Sequence, residues 1–221
     1  MDLAPYRSVF EHVECNYRDI LIEADATLDR VYFPESGVIS ILAVYADGRS
    51  MEMATIGREG STAIQAVFGA RSSSFRLLVQ VPGEALCMKR ADFDLAMAQS
   101  EAFRQLMYAH SHAFLEQVLV SGACNGAHTI RQRLARWLLM MWDRHDADTL
   151  PVTQDLMAEM LGVQRPTVTN AARLLHDEGM IKLERKRVSL LDREALGRVS
   201  CECYHQVRSR TANLLPKTYV T

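Results

Sequence analysis

The chain has 221 residues, of which 48% are hydrophobic and 24% charged, a balance that excludes disorder and fibrous structure and leaves room for two domains. No apolar run approaches the roughly eighteen residues of a membrane span, and the acidic second residue with no apolar stretch behind it argues against a secretion signal. Five scattered cysteines fit no disulfide framework, so a reducing cytoplasm is expected. The net charge of −2 hides an asymmetry: residues 1–124 carry 10 basic against 16 acidic side chains, residues 125–221 carry 15 against 11. A basic half joined to an acidic half suggests that one end meets a polyanion.

From Arg18 to about Met88 the texture predicts strands. The runs Ile20–Ile22, Val31–Phe33, Val38–Tyr45, Met51–Ile56, Phe75–Val81 and Ala85–Met88 are rich in β-branched and aromatic residues and alternate with turn segments such as Pro34-Glu35-Ser36-Gly37 and Pro82-Gly83. The Asp47-Gly48 pair between two of these runs marks a hairpin. Val38–Tyr45 is apolar on both alternating faces, so it is expected to be covered on both sides. Residues 1–100 are thus expected to form a compact antiparallel β-roll, jelly-roll-like, within an α+β chain.

The texture turns helical at Arg90. Ala91–Gln99 predicts a short helix, and Ser100 opens a longer one to about Ser121. Along it Phe103, Met107, His110, Phe114, Gln117 and Ser121 recur at alternating spacings of four and three. They are expected to form the seam of a homodimer; packing of the same stripe on the β domain is the alternative. Gly122 and Gly126 are expected to interrupt this helix, making residues 101–124 a dimerisation helix and hinge. Thr129–Trp142 then predicts an amphipathic helix with Arg131, Arg133 and Arg136 outward.

Residues 125–198 contain the most informative stretch. Thr153 is a good N-cap for a helix through Leu161, and Gly162 follows where a left-handed turn is needed. A second helix begins near Arg165, with Pro166 tolerated in its first turn and Val168, Ala171, Ala172, Leu174 and Leu175 facing the core. Gly179 ends it, and Lys182–Leu191 forms a hairpin whose tip carries Glu184-Arg185-Lys186-Arg187. Helix, glycine turn, helix and basic wing together predict a winged helix-turn-helix that puts its second helix in the major groove of double-stranded DNA. Thr153, Gln154, Gln164, Arg165, Pro166, Thr167, Thr169, Asn170, Arg173, Lys186 and Arg187 are the expected DNA contacts: amides, hydroxyls and arginines to read base edges, wing cations to meet phosphates. Residues 199–221 are expected to be a C-terminal tail.

The stretch TQDLMAEMLGVQRPTVTNAARLLHDEGMI, together with VYFPESGVIS (Val31–Ser40) and IGREG (Ile56–Gly60), resembles transcription regulators of the Crp/Fnr family. The resemblance implies a cyclic-nucleotide-binding-type β-roll, a dimerisation helix, a palindromic operator and RNA polymerase as a further partner. Cyclic-AMP-binding members carry a Gly-Glu pair and an Arg-Ser or Arg-Thr in that pocket. Here the matching places read Gly60-Ser61-Thr62-Ala63 and Ser73-Ser74, with Arg71 two residues off, so Gly60, Ser61, Thr62, Arg71, Ser73 and Ser74 outline a non-standard effector pocket with its effector unknown.

No catalytic constellation stands out, and no cofactor is expected. Cys201-x-Cys203-x-His205 has metal-like spacing, but residues i and i+2 of a helix face apart, so no metal is expected. His110, His112, Cys87 and Met88 are read as packing residues rather than haem ligands, and the single early Cys15 is too few for an iron–sulfur cluster.

Overall fold

The computed structural model describes residues 4–216 and 218–219. A short 3-10 turn, Ala4–Val9, leads into the strands β1 (Phe10–Cys15), β2 (Ile20–Ile22), β3 (Arg30–Pro34), β4 (Val38–Val44), β5 (Ser50–Ile56), β6 (Arg76–Val81) and β7 (Gly83–Lys89). They form two antiparallel sheets, in the orders β1-β7-β3 and β2-β6-β4-β5. Between and beside them lies an apolar core that includes Val31, Ile39, Ile41, Ile56, Leu77 and Met88. Sequence reading missed β1, and the reason is visible in FEHVEC: Glu11, His12 and Glu14 stay exposed along it, so no apolar face announces the strand.

β4 explains its own doubly apolar sequence. Ile39 and Ile41 enter the roll's core, whereas Val38 and Leu42, on the opposite face, belong to a second core that runs on into the C-terminal half. Ser40 shares that second face and donates to Glu52 Oε2 at 2.8 Å.

The helices α1 (Arg90–Gln99) and α2 (Glu101–Ala127) follow. Ser100 caps α2 by accepting from the Phe103 N–H. Gly122 and Gly126 do not interrupt α2, which runs through both of them; each faces open space. Helix α3 (Ile130–Trp142) starts with a reciprocal capping box between Thr129 and Gln132. Arg136 is not outward on it: only 6% exposed, it donates to Ser121 Oγ, and Arg131 and Arg133 are half-buried.

The remaining elements are β8 (Thr149–Leu150), α4 (Gln154–Leu161), α5 (Arg165–Asp177), β9 (Ile181–Glu184), β10 (Arg187–Leu190), α6 (Arg193–Val199) and α7 (Cys203–Leu214). β8, β10 and β9 make a small antiparallel sheet beside the helices. The segment expected as a tail thus contains a helix, α7, whose Cys203, Tyr204 and Val207 are buried in the second core together with Val120 and Cys124 of α2.

Candidate nucleic-acid interface and sensor pocket

Local chemistry builds the helix-turn-helix. The Thr153 hydroxyl accepts from the Leu156 N–H and starts α4. Gly162 ends it at φ 64°, a left-handed backbone conformation that favours glycine, and the Met51 side chain packs against the space a Cβ would take. Pro166 occupies the first turn of α5, where its missing N–H costs nothing. Val168, Ala171, Ala172 and Leu175 are buried as expected; Leu174 is not, being 45% exposed on the side of α5 away from the core.

Gln164, Arg165, Pro166, Thr167, Asn170 and Arg173 form the exposed face of α5. Thr169 is half-buried and donates to Gln154 Oε1 at 2.9 Å, a link between the two helices. Arg165 Nε lies 3.2 Å from Asp155 Oδ1 of α4, a well-solvated and therefore weak pair at the N-terminal end of α5. Lys186, at φ 64°, turns the wing, and Lys186 and Arg187 are exposed there beside Arg185. Part of the wing's charge is offset by Glu184, which lies 3.1 Å from Lys182 Nζ and 3.6 Å from Arg187 Nε.

The sensor half departs further from expectation. Gly60, Ser61, Thr62, Ser73 and Ser74 are taken up by contacts within the protein. Ser61 and Thr62 are buried; the Ser61 N–H donates to His110 Nε2 at 3.1 Å, and Thr62 Oγ1 accepts from the Tyr32 N–H at 2.9 Å. A Cβ on Gly60 would lie 2.3 Å from His110 Cε1, so the glycine admits the imidazole of α2 rather than a ligand. Burial holds the His110 pKa below the usual imidazole range, leaving the ring neutral. Ser73 and Ser74 meet Gln65: Ser73 Oγ donates to Gln65 Oε1 at 3.0 Å, and Gln65 Nε2 donates to Ser74 Oγ at 3.2 Å. Arg71 lies on the outside beside Asp29, Arg30 and Asp94.

A cavity that faces α2 is apolar. Ile41, Met53, Ile64, Phe68, Phe75, Tyr108 and Phe114 contribute to its lining, and it holds about 470 Å³. None of the six residues expected for the effector pocket lines it.

The stripe expected as a seam packs inward instead. Phe103, Met107, His110 and Gln117 are buried against the β-roll, Gln117 Nε2 donating to the Thr55 carbonyl at 2.9 Å, while Phe114 and Ser121 are half-buried. The exposed apolar row of α2 is a different one, Tyr108, Leu115 and Leu119, with Gly122 and Gly126 continuing it. Alternating four-three spacing fits both registers, and only the β-roll's own contacts decide which one faces outward.

Sequence reading also missed the bridge between the halves. Glu59 of IGREG pairs with Arg144 at 2.7 Å, both side chains under a tenth exposed, and Arg144 also donates to Gln117 Oε1 at 3.1 Å. Burial would push the Glu59 carboxyl up, but Arg144 and nearby N–H donors outweigh it and hold the group ionised. Ser50 Oγ donates to Glu159 Oε1 at 2.6 Å, and Arg18 Nη2 reaches the other oxygen at 3.1 Å. The β4–β5 hairpin is thereby held against α4.

A sensor-type β-roll, a long helix and a helix-turn-helix with a wing define the class of two-domain DNA-binding regulators. Two family models match within the chain: the cyclic nucleotide-binding domain over residues 13–100 and the Crp-like helix-turn-helix domain over residues 132–199. The chain belongs to the Crp/Fnr family of transcription regulators. Its fold is similar to that of FixK2 from Bradyrhizobium japonicum (TM-score 0.74, 18% identity, covering 87% of this chain and 98% of that one). It is similar as well to a CRP-family transcriptional regulator from Thermus thermophilus (TM-score 0.71, 17% identity, 86% and 96% covered). The c-di-GMP-responsive global regulator CLP of Xanthomonas campestris gives a TM-score of 0.69 at 14% identity, with 86% and 97% covered. No curated protein matches at the sequence level. Among the described residues, no helix is long and apolar enough to cross a membrane.

Proposed function

We propose that the chain is a sequence-specific transcription regulator that binds a palindromic operator as a homodimer, with α5 in the major groove and the wing on the phosphates. The observation that carries this is the outward face of α5: Gln164, Arg165, Thr167, Asn170 and Arg173 are all exposed on one helix whose opposite face is buried. The second copy packs along Tyr108, Leu115 and Leu119 of α2, an apolar row that stays exposed among the described residues. Two recognition helices then sit about one DNA turn apart, roughly 34 Å. RNA polymerase is the further partner of a regulator of this kind, and the cytoplasm its compartment. The effector site is non-standard: an effector enters the apolar cavity against α2 instead of the six-residue pocket, and that lining suits a small nonpolar molecule better than a cyclic phosphate.

The test is selection of the preferred site from random DNA, followed by binding to that site and its single-base variants at fixed salt. Arg165→Ala should weaken the best site by about 1–3 kcal/mol and relax preference at one base pair per half-site. Equal weakening on every sequence would make Arg165 a phosphate contact, and no preferred site at all would overturn the reading.

A further inference from the structure

The Cys201-x-Cys203 pair gains partners that are distant in sequence, 77 residues away for Cys124 and 75 for His128. The donor atoms of Cys124, His128, Cys201 and Cys203 all lie within 4.8 Å of one another. Cys124 belongs to the last turn of α2, and His128 is the residue that caps it. Cys201 precedes α7 and Cys203 opens it, so the two are not held on opposite sides of one helix, and both are buried facing inward. His205, the third member of the sequence motif, is exposed and stays outside the group.

We propose that these four side chains form a Cys3His site for a single tetrahedral transition-metal ion of the zinc class. Zinc–sulfur bonds of about 2.3 Å and zinc–nitrogen bonds of about 2.0–2.1 Å, arranged tetrahedrally, set neighbouring donors roughly 3.5–3.8 Å apart. The Sγ atoms of Cys124 and Cys201 are 3.5 Å apart, and Cys203 Sγ lies 3.7 Å from His128 Nδ1. The group is too tight to embrace a multi-iron cluster and too open for an existing disulfide.

Two further features suit a metal. His128 presents Nδ1 to the thiols while its Nε2 lies 3.2 Å from Glu202 Oε2, the carboxylate–histidine pairing that fixes a metal-binding imidazole in the right tautomer. Arg136 is buried, makes no ion pair among the described residues, and bears electrostatically on all three thiols. Three thiolates around a divalent ion leave a net charge of −1, and a buried guanidinium beside them offsets it. Binding releases the thiol protons to solvent and leaves each sulfur bonded to the ion. The ion would tie the end of α2 to the start of α7.

The experiment uses the full chain, purified without chelator, for elemental analysis and cobalt(II) titration. We expect about one zinc per chain, and, after removal of the zinc, ligand-field bands of tetrahedral thiolate-bound cobalt that saturate at about one equivalent. Cys124→Ser and Cys203→Ser should lose the metal, while His205→Ala should keep it. Because a ligand variant can fail to fold, alkylation mapping of the unaltered chain gives an independent reading. Chelation should expose Cys124, Cys201 and Cys203 to the reagent and leave Cys15 and Cys87 as protected as before. Absence of both zinc and cobalt binding, a Cys124–Cys201 disulfide in the reduced preparation, or acid-labile sulfide would each overturn the proposal.

Discussion

Glu52 of β5 sits between the two halves and, among the described residues, receives only neutral donors, Ser40 Oγ at 2.8 Å and Trp137 Nε1 of α3 at 2.9 Å. Burial pushes its carboxyl up to about 7, with those two bonds and the charge of Arg136 pulling the other way. In the unfolded chain the group ionises near its ordinary value of 4.5. Between these values the folded state keeps a proton that the unfolded state has released, so stability falls as pH rises through the window and levels off above it. Glu52→Gln removes that loss. Its melting temperature, level with the parent at about pH 4, should pull ahead between about pH 5 and pH 7 and hold a constant lead beyond. An offset independent of pH would show that Glu52 does not titrate there.

At the scale of elements, α2 carries two apolar stripes with different tasks. Phe103 packs edge-to-face with Phe93 at 5.7 Å between ring centroids and is 1% exposed, so Phe103→Ala should cost about 3–5 kcal/mol of folding stability. Leu115 and Leu119 are 53% and 59% exposed, and Leu115→Glu with Leu119→Glu should leave the fold intact, yield monomers by light scattering and abolish tight operator binding. Operator-competent dimers from that double variant would move the interface elsewhere. The spacing of α2 was legible in the sequence, but its register was not. A four-three repeat has no marker for which stripe the β-roll covers, and polar His110 and Gln117 reach buried backbone groups that belong to distant strands and loops. The helix-turn-helix was legible almost throughout because its caps, its Gly162 turn and its Pro166 act locally. The bridge from Glu59 to Arg144 and the grouping of Cys124 with Cys201 rest on separations of 85 and 77 residues, which no local pattern records.

The whole molecule's response to ligand follows from where its polar groups point. Ser61, Thr62, Ser73 and Ser74 already have partners in the roll or on α2, and Arg71 faces out, so a cyclic phosphate would find no cation among the described residues there to replace its water. Cyclic AMP raised to millimolar levels should change neither the melting temperature nor operator retention. A ligand at a hundred times its Kd would add about 2.7 kcal/mol, readily seen in a melt. A saturable rise at micromolar nucleotide would mean that Arg71 and the Ser73–Ser74 loop rearrange to form the missing pocket.

The second core bears on modularity. Val38, Leu42, Leu78 and Val81 of the β-roll are buried in one continuous cluster with Trp137, Leu138 and Leu161 of the C-terminal half. A chimera cut at His128, joining this reading head to a foreign sensor, would bare that strand face on one product and leave the other with an unmatched cavity. Recombination between relatives should therefore succeed only when β4, β6 and α3 travel together. The unit expected to fold intact in such exchanges is therefore the whole two-domain chain, although its sequence divides so readily into an acidic half and a basic one.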